Sequence, residues 1–249
     1  MKKNDFVILW GGGIYNWFDT LSLVRAMKIV SETRKDIKLY FMGVKHPDPL
    51  VKELTLVNET VSLAKSLDVY ENNVFFNFGW VKYDERQNFL TESDAGIVTH
   101  PVHIETRFSF RTRALDYIWA GLPMISTEGD FFSELINEKK LGITVKEKDP
   151  RGIADAIIRL ASDRDYYDLC VSNLKNISND YTWDKVCEPI LKYCMDPSKS
   201  SKTQDDENNN DGESIGRQTG SIGKRFFSHL VKSGPKKTFK YVKNYLGKK

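Results

Sequence analysis

Pro101-Val-His-Ile-Glu105-Thr-Arg107-Phe-Ser-Phe-Arg111-Thr-Arg113-Ala-Leu-Asp116-Tyr-Ile-Trp-Ala-Gly-Leu-Pro123 lies between two short apolar runs, Ala95–Val98 and Pro123–Ser126. The runs read as buried strands. The polar stretch reads as a loop, then a helix that stops at Ala120-Gly-Leu-Pro123. Strand, loop, helix and strand in that order make a βαβ crossover between parallel strands. Open α/β sheets hold ligands in the loops at the carboxyl ends of such strands. This stretch carries Glu105, Arg107, Arg111 and Arg113, and the helix adds Asp116. Guanidinium forks match phosphate oxygens and carboxylates accept from sugar hydroxyls, so the set suits a nucleotide sugar.

Outward from this stretch the pattern repeats. Phe6–Trp10 and Ile37–Met42 read as strands, joined by Gly11-Gly12-Gly13 and an amphipathic helix over Phe18–Glu32 with Asp19 or Thr20 as its cap. His46-Pro-Asp-Pro49 marks a loop, Leu50–Leu67 a helix, Val74–Phe76 a third strand, and Tyr83 the start of a short helix. Beyond Ser126 come a helix over Phe131–Asn137, a last strand at Gly142–Val145, and a helix opened by Asp149-Pro150. Helical residues continue through Tyr167–Ile177 and Trp183–Tyr193. Alternation of this kind predicts a doubly wound, Rossmann-like α/β domain of about six parallel strands over residues 1–196.

Gly11-Gly-Gly-Ile-Tyr-Asn16 supplies the first two glycines of a dinucleotide fingerprint but not the last, and Gly43-Val-Lys45 stands where the ribose-binding acid would be. A nicotinamide site is therefore the weaker reading of this loop. Backbone amides approaching a pyrophosphate is the stronger, with a plain tight turn as the alternative. His100, His103 and Glu105 are spaced like metal ligands, yet a loop does not hold them on one helical face, so no metal is expected. Asp163-Arg-Asp165 falls at a helix start, where aspartate is a common cap.

The chain has 249 residues, 40% hydrophobic and 29% charged, which is enough apolar material for a sizeable core. Its net charge of +3 is unevenly spread: Lys224–Lys249 holds nine Lys/Arg and no Asp/Glu, and subtracting those nine leaves −6 for the rest. That distribution argues against a nucleic-acid-binding body. Residues 197–221, rich in Ser, Asn, Asp and Gly, read as a disordered linker. Residues 222–249 place Ile222, Phe226, Phe227 and Leu230 on one helical face among basic residues. Such a tail suits an anionic membrane surface, with a protein partner as the alternative. Three cysteines without paired spacing fit a reducing compartment, and Cys187 and Cys194, seven apart, are expected to share a packed helix face. The expected location is the cytoplasm, at the inner face of the membrane.

Together these motifs resemble the C-terminal, donor-binding half of GT-B glycosyltransferases of the group 1, or family 4, type. Pro101 to Glu105 has that family's Pro-to-Glu spacing, Asp116 to Pro123 its acid-to-Gly-x-Pro spacing, and Gly79-Trp80-Val81 resembles its Gly-x-Val. The departures lie between the acids: Glu105 and Asp116 are eleven apart where the family has eight, and the added residues carry arginines. The family's Arg and Lys near the first helix have no match; Trp17 and Phe18 occupy that neighbourhood.

The resemblance implies that Glu105 accepts from donor-sugar hydroxyls and Asp116 from the ribose diol. Trp80 and Val81 would flank the base, and backbone amides at Gly11, Gly12 and Gly13 would meet the diphosphate. Arg111 and Arg113 would replace the missing phosphate-binding pair. For each acid a salt bridge to a neighbouring arginine is the alternative. The implied activity is retaining, metal-independent glycosyl transfer without a cofactor, as in polysaccharide biosynthesis. A GT-B enzyme also needs an acceptor domain, so a separate acceptor-domain subunit is the expected partner. A non-catalytic nucleotide-sugar-binding module and an NAD-type oxidoreductase fragment are the alternatives.

Overall fold

The first strand is the hub of the sheet. β1 (Phe6–Trp10) ends in Ile8, Leu9 and Trp10, all fully buried, as expected of a strand covered on both faces. A computed structural model describes residues 1–45, 48, 50 and 54–197. Within it β2 (Ile37–Phe41), β3 (Val74–Phe76), β4 (Ala95–Val98), β5 (Met124–Thr127) and β6 (Gly142–Val145) join β1 in a parallel sheet of order β3-β2-β1-β4-β5-β6. Phe6–Trp10 pair in register with Ile37–Phe41 on one side, and Ile8 and Leu9 with Ala95 and Gly96 on the other. The strand order reverses between β1 and β4. Open sheets of this kind hold ligands beyond the carboxyl ends of their strands.

Among the described residues the helices are α1 (Thr20–Thr33), α2 (Thr55–Ser66), α3 (Arg86–Thr91), α4 (Ile104–Phe108), α5 (Arg113–Ala120), α6 (Phe131–Lys139), α7 (Pro150–Ser162), α8 (Arg164–Ser178) and α9 (Trp183–Met195). Alternation along β1 separates two apolar clusters. Ile8 and Trp10 join Leu23, Val24 and Met27 of α1 and Ile153 and Ile157 of α7, whereas Leu9 joins Tyr117 and Ile118 of α5 and Phe132 of α6. Asp19 caps α1 by accepting from the Ser22 amide, and Asp149 caps α7 with Pro150 in its first turn. Asp163 likewise caps α8, accepting from the Tyr166 amide.

Three expectations need correction. The central stretch holds two helices, not one: α4 ends at Ser109, whose extended backbone turns the chain so that Arg111 points inward. The helix read over Leu50–Leu67 starts at Thr55 in α2, after an extended Leu54. The shared face of Cys187 and Cys194 is not a packed core. Among the described residues α9 buries none of its side chains, and Cys194 is exposed. Seven-residue spacing aligns two side chains but does not supply a neighbour to cover them.

The chain divides into two compact units, Met1–Ile190 and Leu191–Lys249. Every site residue considered below belongs to the first. The linker and tail expectations for 198–249, and most of the His46–Pro49 loop, lie outside the described residues. No helix among the described residues is long and apolar enough to cross a membrane.

Candidate functional site

Residues Gly11-Gly12-Gly13 leave the end of β1 and form one wall of a pocket of about 450 Å³. Met42, Gly43 and Val44, just past β2, form the floor, and Trp80, Val81, Tyr83 and Arg86 the opposite wall. Five sequence-predicted residues (Gly11, Gly12, Gly13, Trp80 and Val81) thus meet in one cavity beyond the carboxyl ends of β1, β2 and β3. Glu105, Arg111, Arg113 and Asp116 do not line it: Arg113 bonds to Gly13 and Asp116 to Arg86 at its edge, whereas the partners of Glu105 and Arg111 lie outside its lining.

The glycine loop is pinned from beneath. Tyr117, on α5 and fully buried, accepts from the Gly11 amide at 2.8 Å, and its hydroxyl lies 3.0 Å from the Leu9 carbonyl and 3.2 Å from that of Ile97. Burial pushes the Tyr117 phenol above its ordinary pKa, so it stays protonated and able to donate. The ring fits only because β4 has glycine opposite: a Cβ on Gly96 would sit 2.5 Å from the Tyr117 ring. Gly12 has φ +150°, which side chains rarely adopt, and its amide donates to the Trp10 carbonyl at 3.0 Å. Among the described residues no acceptor meets the Gly13 amide.

Arg113 lies against this loop. Its Nη2 donates to the Gly13 carbonyl at 3.2 Å, and its guanidinium carbon sits 4.7 Å from the Trp10 ring centre and 4.4 Å from that of Phe18. Its Nη1 is buried with no partner, and among the described residues no carboxylate pairs with it. Burial pushes the Arg113 pKa down, and the like charge of Arg111 acts in the same direction. A guanidinium without a counter-ion beside a glycine turn is an anion site in its electrostatics.

Arg111 sits differently from the phosphate role expected of it. Its two terminal nitrogens clasp Glu105 at 3.1 and 2.9 Å, and its Nε lies 3.9 Å from Asp130. Arg111 is buried, while the Glu105 side chain is 45% exposed. The fork is spent on holding Glu105, and the carboxylate still reaches solvent. Asp130 accepts from the Ser133 amide as the cap of α6, leaving Oδ2 3.4 Å from Nε2 of fully buried His100. Phe18 joins the two arginines: its ring centre is 5.3 Å from the Arg111 guanidinium and 4.4 Å from that of Arg113. Arg107 is exposed and packs beside Phe108.

Asp116, on α5, pairs with Arg86 at the start of α3. Burial raises the Asp116 carboxyl pKa, and the charge and hydrogen bond of Arg86 oppose that rise. His103 caps α4 by accepting from the Thr106 amide, and no group of three or more His, Cys, Asp or Glu among the described residues is arranged to hold a metal.

Sequence reasoning passed over Arg86, Tyr117 and Tyr15, which also lines the pocket. The small residue Gly96 within a buried strand was the one local sign of Tyr117, since it marks a close approach.

The strand order, the pocket and the glycine turn define a Rossmann-like half of the GT-B kind. Residues 5–163 match the model of the family "Glycosyl transferases group 1", and the chain belongs to that family. It is 24% identical over 137 residues to a sucrose-phosphate synthase of Spinacia oleracea, covering 53% of this chain and 12% of that protein. Its fold matches Anabaena Alr3699/HepE, solved with UDP-glucose, at a TM-score of 0.64 and 17% identity, over 77% of this chain and 49% of that one. It also matches the C-terminal domain of the group 1 protein LpcC from Francisella tularensis at a TM-score of 0.60 and 17% identity, over 72% of this chain and 87% of that domain.

Proposed function

We propose that this chain is the donor-binding half of a glycosyltransferase. It holds a nucleoside diphosphate sugar in the pocket beyond the carboxyl ends of β1, β2 and β3 and passes the sugar to an acceptor presented by a second domain. The observation that carries this reading is the anion site at the glycine turn. A buried Arg113 nitrogen without a partner and the open Gly13 amide stand at the rim of a pocket of nucleotide size.

In this reading the diphosphate lies on the Gly12–Gly13 turn with Arg113 behind it. Charge that develops on the departing diphosphate then meets fixed donors that need no reorganisation. Trp80 and Val81 flank the base, and Asp116 accepts from the ribose. Glu105, held by Arg111, accepts from the sugar hydroxyls. These residues supply the cation themselves, so the reading needs no metal and no cofactor.

HepE, whose fold this chain matches over about half of HepE's length, was solved in complex with UDP-glucose, which supports a sugar nucleotide as the ligand. Membership of the glycosyltransferase family weighs against the oxidoreductase alternative. Calorimetry of the full chain with UDP-, GDP- and ADP-sugars and with NAD tests the reading. At least one sugar nucleotide should bind and NAD should not. Binding of NAD alone, or of none of them, would refute it. Efficient sugar transfer by the purified chain alone would refute the need for a partner.

A further inference from the structure

Arg86 joins the pocket to Asp116. It lines the cavity, donates from Nη2 to Asp116 Oδ2, and lies 5.4 Å from the ring centre of Tyr83. The two side chains are 28% and 34% exposed, so the pair sits at the pocket's edge, partly open to solvent. A carboxylate that recognises a diol must be ionised and aimed. Asp116 has two rotatable side-chain bonds and is 34% exposed; the Arg113 charge on the same helix also acts on it, but its hydrogen bond comes from Arg86. Only Oδ2 takes the bond from Arg86.

We propose that Arg86 is a positioning residue for ribose recognition: it clasps one oxygen of Asp116 so that the other faces the 2′,3′-diol of a ribonucleoside diphosphate. This rests on the donor-site reading above. It adds a residue that no spacing in the chain marks, and a ligand chemistry, ribose as against deoxyribose, that the site should distinguish. In the same site Arg113 serves the phosphates and Arg86 serves the sugar of the nucleoside, through Asp116.

The experiment is calorimetry of the full chain with UDP, GDP and ADP and with their 2′,3′-dideoxy counterparts. Wild-type protein should prefer the ribose form by about tenfold or more, the worth of a hydrogen bond to a charged group. Arg86→Gln should weaken ribonucleotide binding more than dideoxynucleotide binding and so reduce that preference to about twofold, and Arg86→Lys should restore part of it. The double variant Arg86→Gln/Asp116→Asn should bind no more weakly than Asp116→Asn alone, because both changes act through one carboxylate. Thermal melts of each variant verify folding. Equal losses for ribose and dideoxy forms would mean that Arg86 touches base or phosphate itself, and would overturn the proposal. An intact ribose preference in Arg86→Gln, or none in the wild type, would overturn it too. Failure of every nucleotide to bind wild-type protein would instead bring down the donor-site reading on which it stands.

Discussion

Arg113→Met separates binding from stability with an unusual sign. Most large side chains at buried positions cost about 2–5 kcal/mol when truncated. Arg113 should not behave this way. Its guanidinium gains from stacking on Trp10 at 4.7 Å and Phe18 at 4.4 Å, worth about 0.5–2 kcal/mol each. It also makes one charge-assisted bond to the Gly13 carbonyl at 3.2 Å, about 1.5 kcal/mol. Against this stand a buried Nη1 without a partner among the described residues, about 1–3 kcal/mol, and the cost of desolvating a charge that no described carboxylate pairs with directly, Asp116 acting only at a distance. The gains and the costs oppose each other, and methionine keeps both hydrocarbon bulk and a sulfur–aromatic contact against the same rings. Urea unfolding should therefore move by less than about 1.5 kcal/mol in either direction. UDP affinity measured by calorimetry should fall about 10- to 150-fold, the loss of a charged contact to the diphosphate. A variant that loses 3 kcal/mol or more of stability (on the order of a core truncation) yet binds UDP as before would show that the guanidinium is part of the scaffold.

Three further outcomes are expected. Tyr117→Phe leaves the Gly11 amide buried without an acceptor and should cost about 1–3 kcal/mol in urea unfolding, with weaker UDP binding as the glycine turn loosens; unchanged stability would mean that the turn is held elsewhere. Glu105→Ala should reduce affinity for the sugar nucleotide that binds about tenfold or more while leaving affinity for its nucleoside diphosphate within about twofold, if the proposed contact of this carboxylate with the sugar holds; calorimetry with both ligands decides, and equal losses would place Glu105 on the nucleotide. Removal of divalent cations with EDTA should leave nucleotide affinity unchanged by the same assay, because the proposed cation is Arg113; a lost signal restored by magnesium would overturn that assignment.

Chain-local patterns carried the architecture. Apolar runs such as Ile8-Leu9-Trp10 and Ala95–Val98 could only be strands buried on both faces, and the amphipathic stretches between them had to cover the sheet. Asp19 and Asp149-Pro150 marked helix starts because capping is satisfied within a few residues of the cap itself. The glycine turn after β1 and the placement of Trp80 and Val81 in one cavity follow from the same parallel winding, which sends every strand's carboxyl end to one edge.

Partners far apart in the chain were decided only by the tertiary structure. The string of residues puts three arginines and two acids in one loop and helix, but not which guanidinium meets which carboxylate. The fold turns Arg111 onto Glu105, leaves Arg113 without an ion pair among the described residues, and brings Arg86 across thirty positions to Asp116. Spacing likewise aligned Cys187 with Cys194 but could not say whether anything packs over them. Secondary structure is set by interactions a few residues long, so it can be read along the chain. The charge pairing of a site depends on distances across the sheet, and those exist only once β1, β4 and their helices have come together.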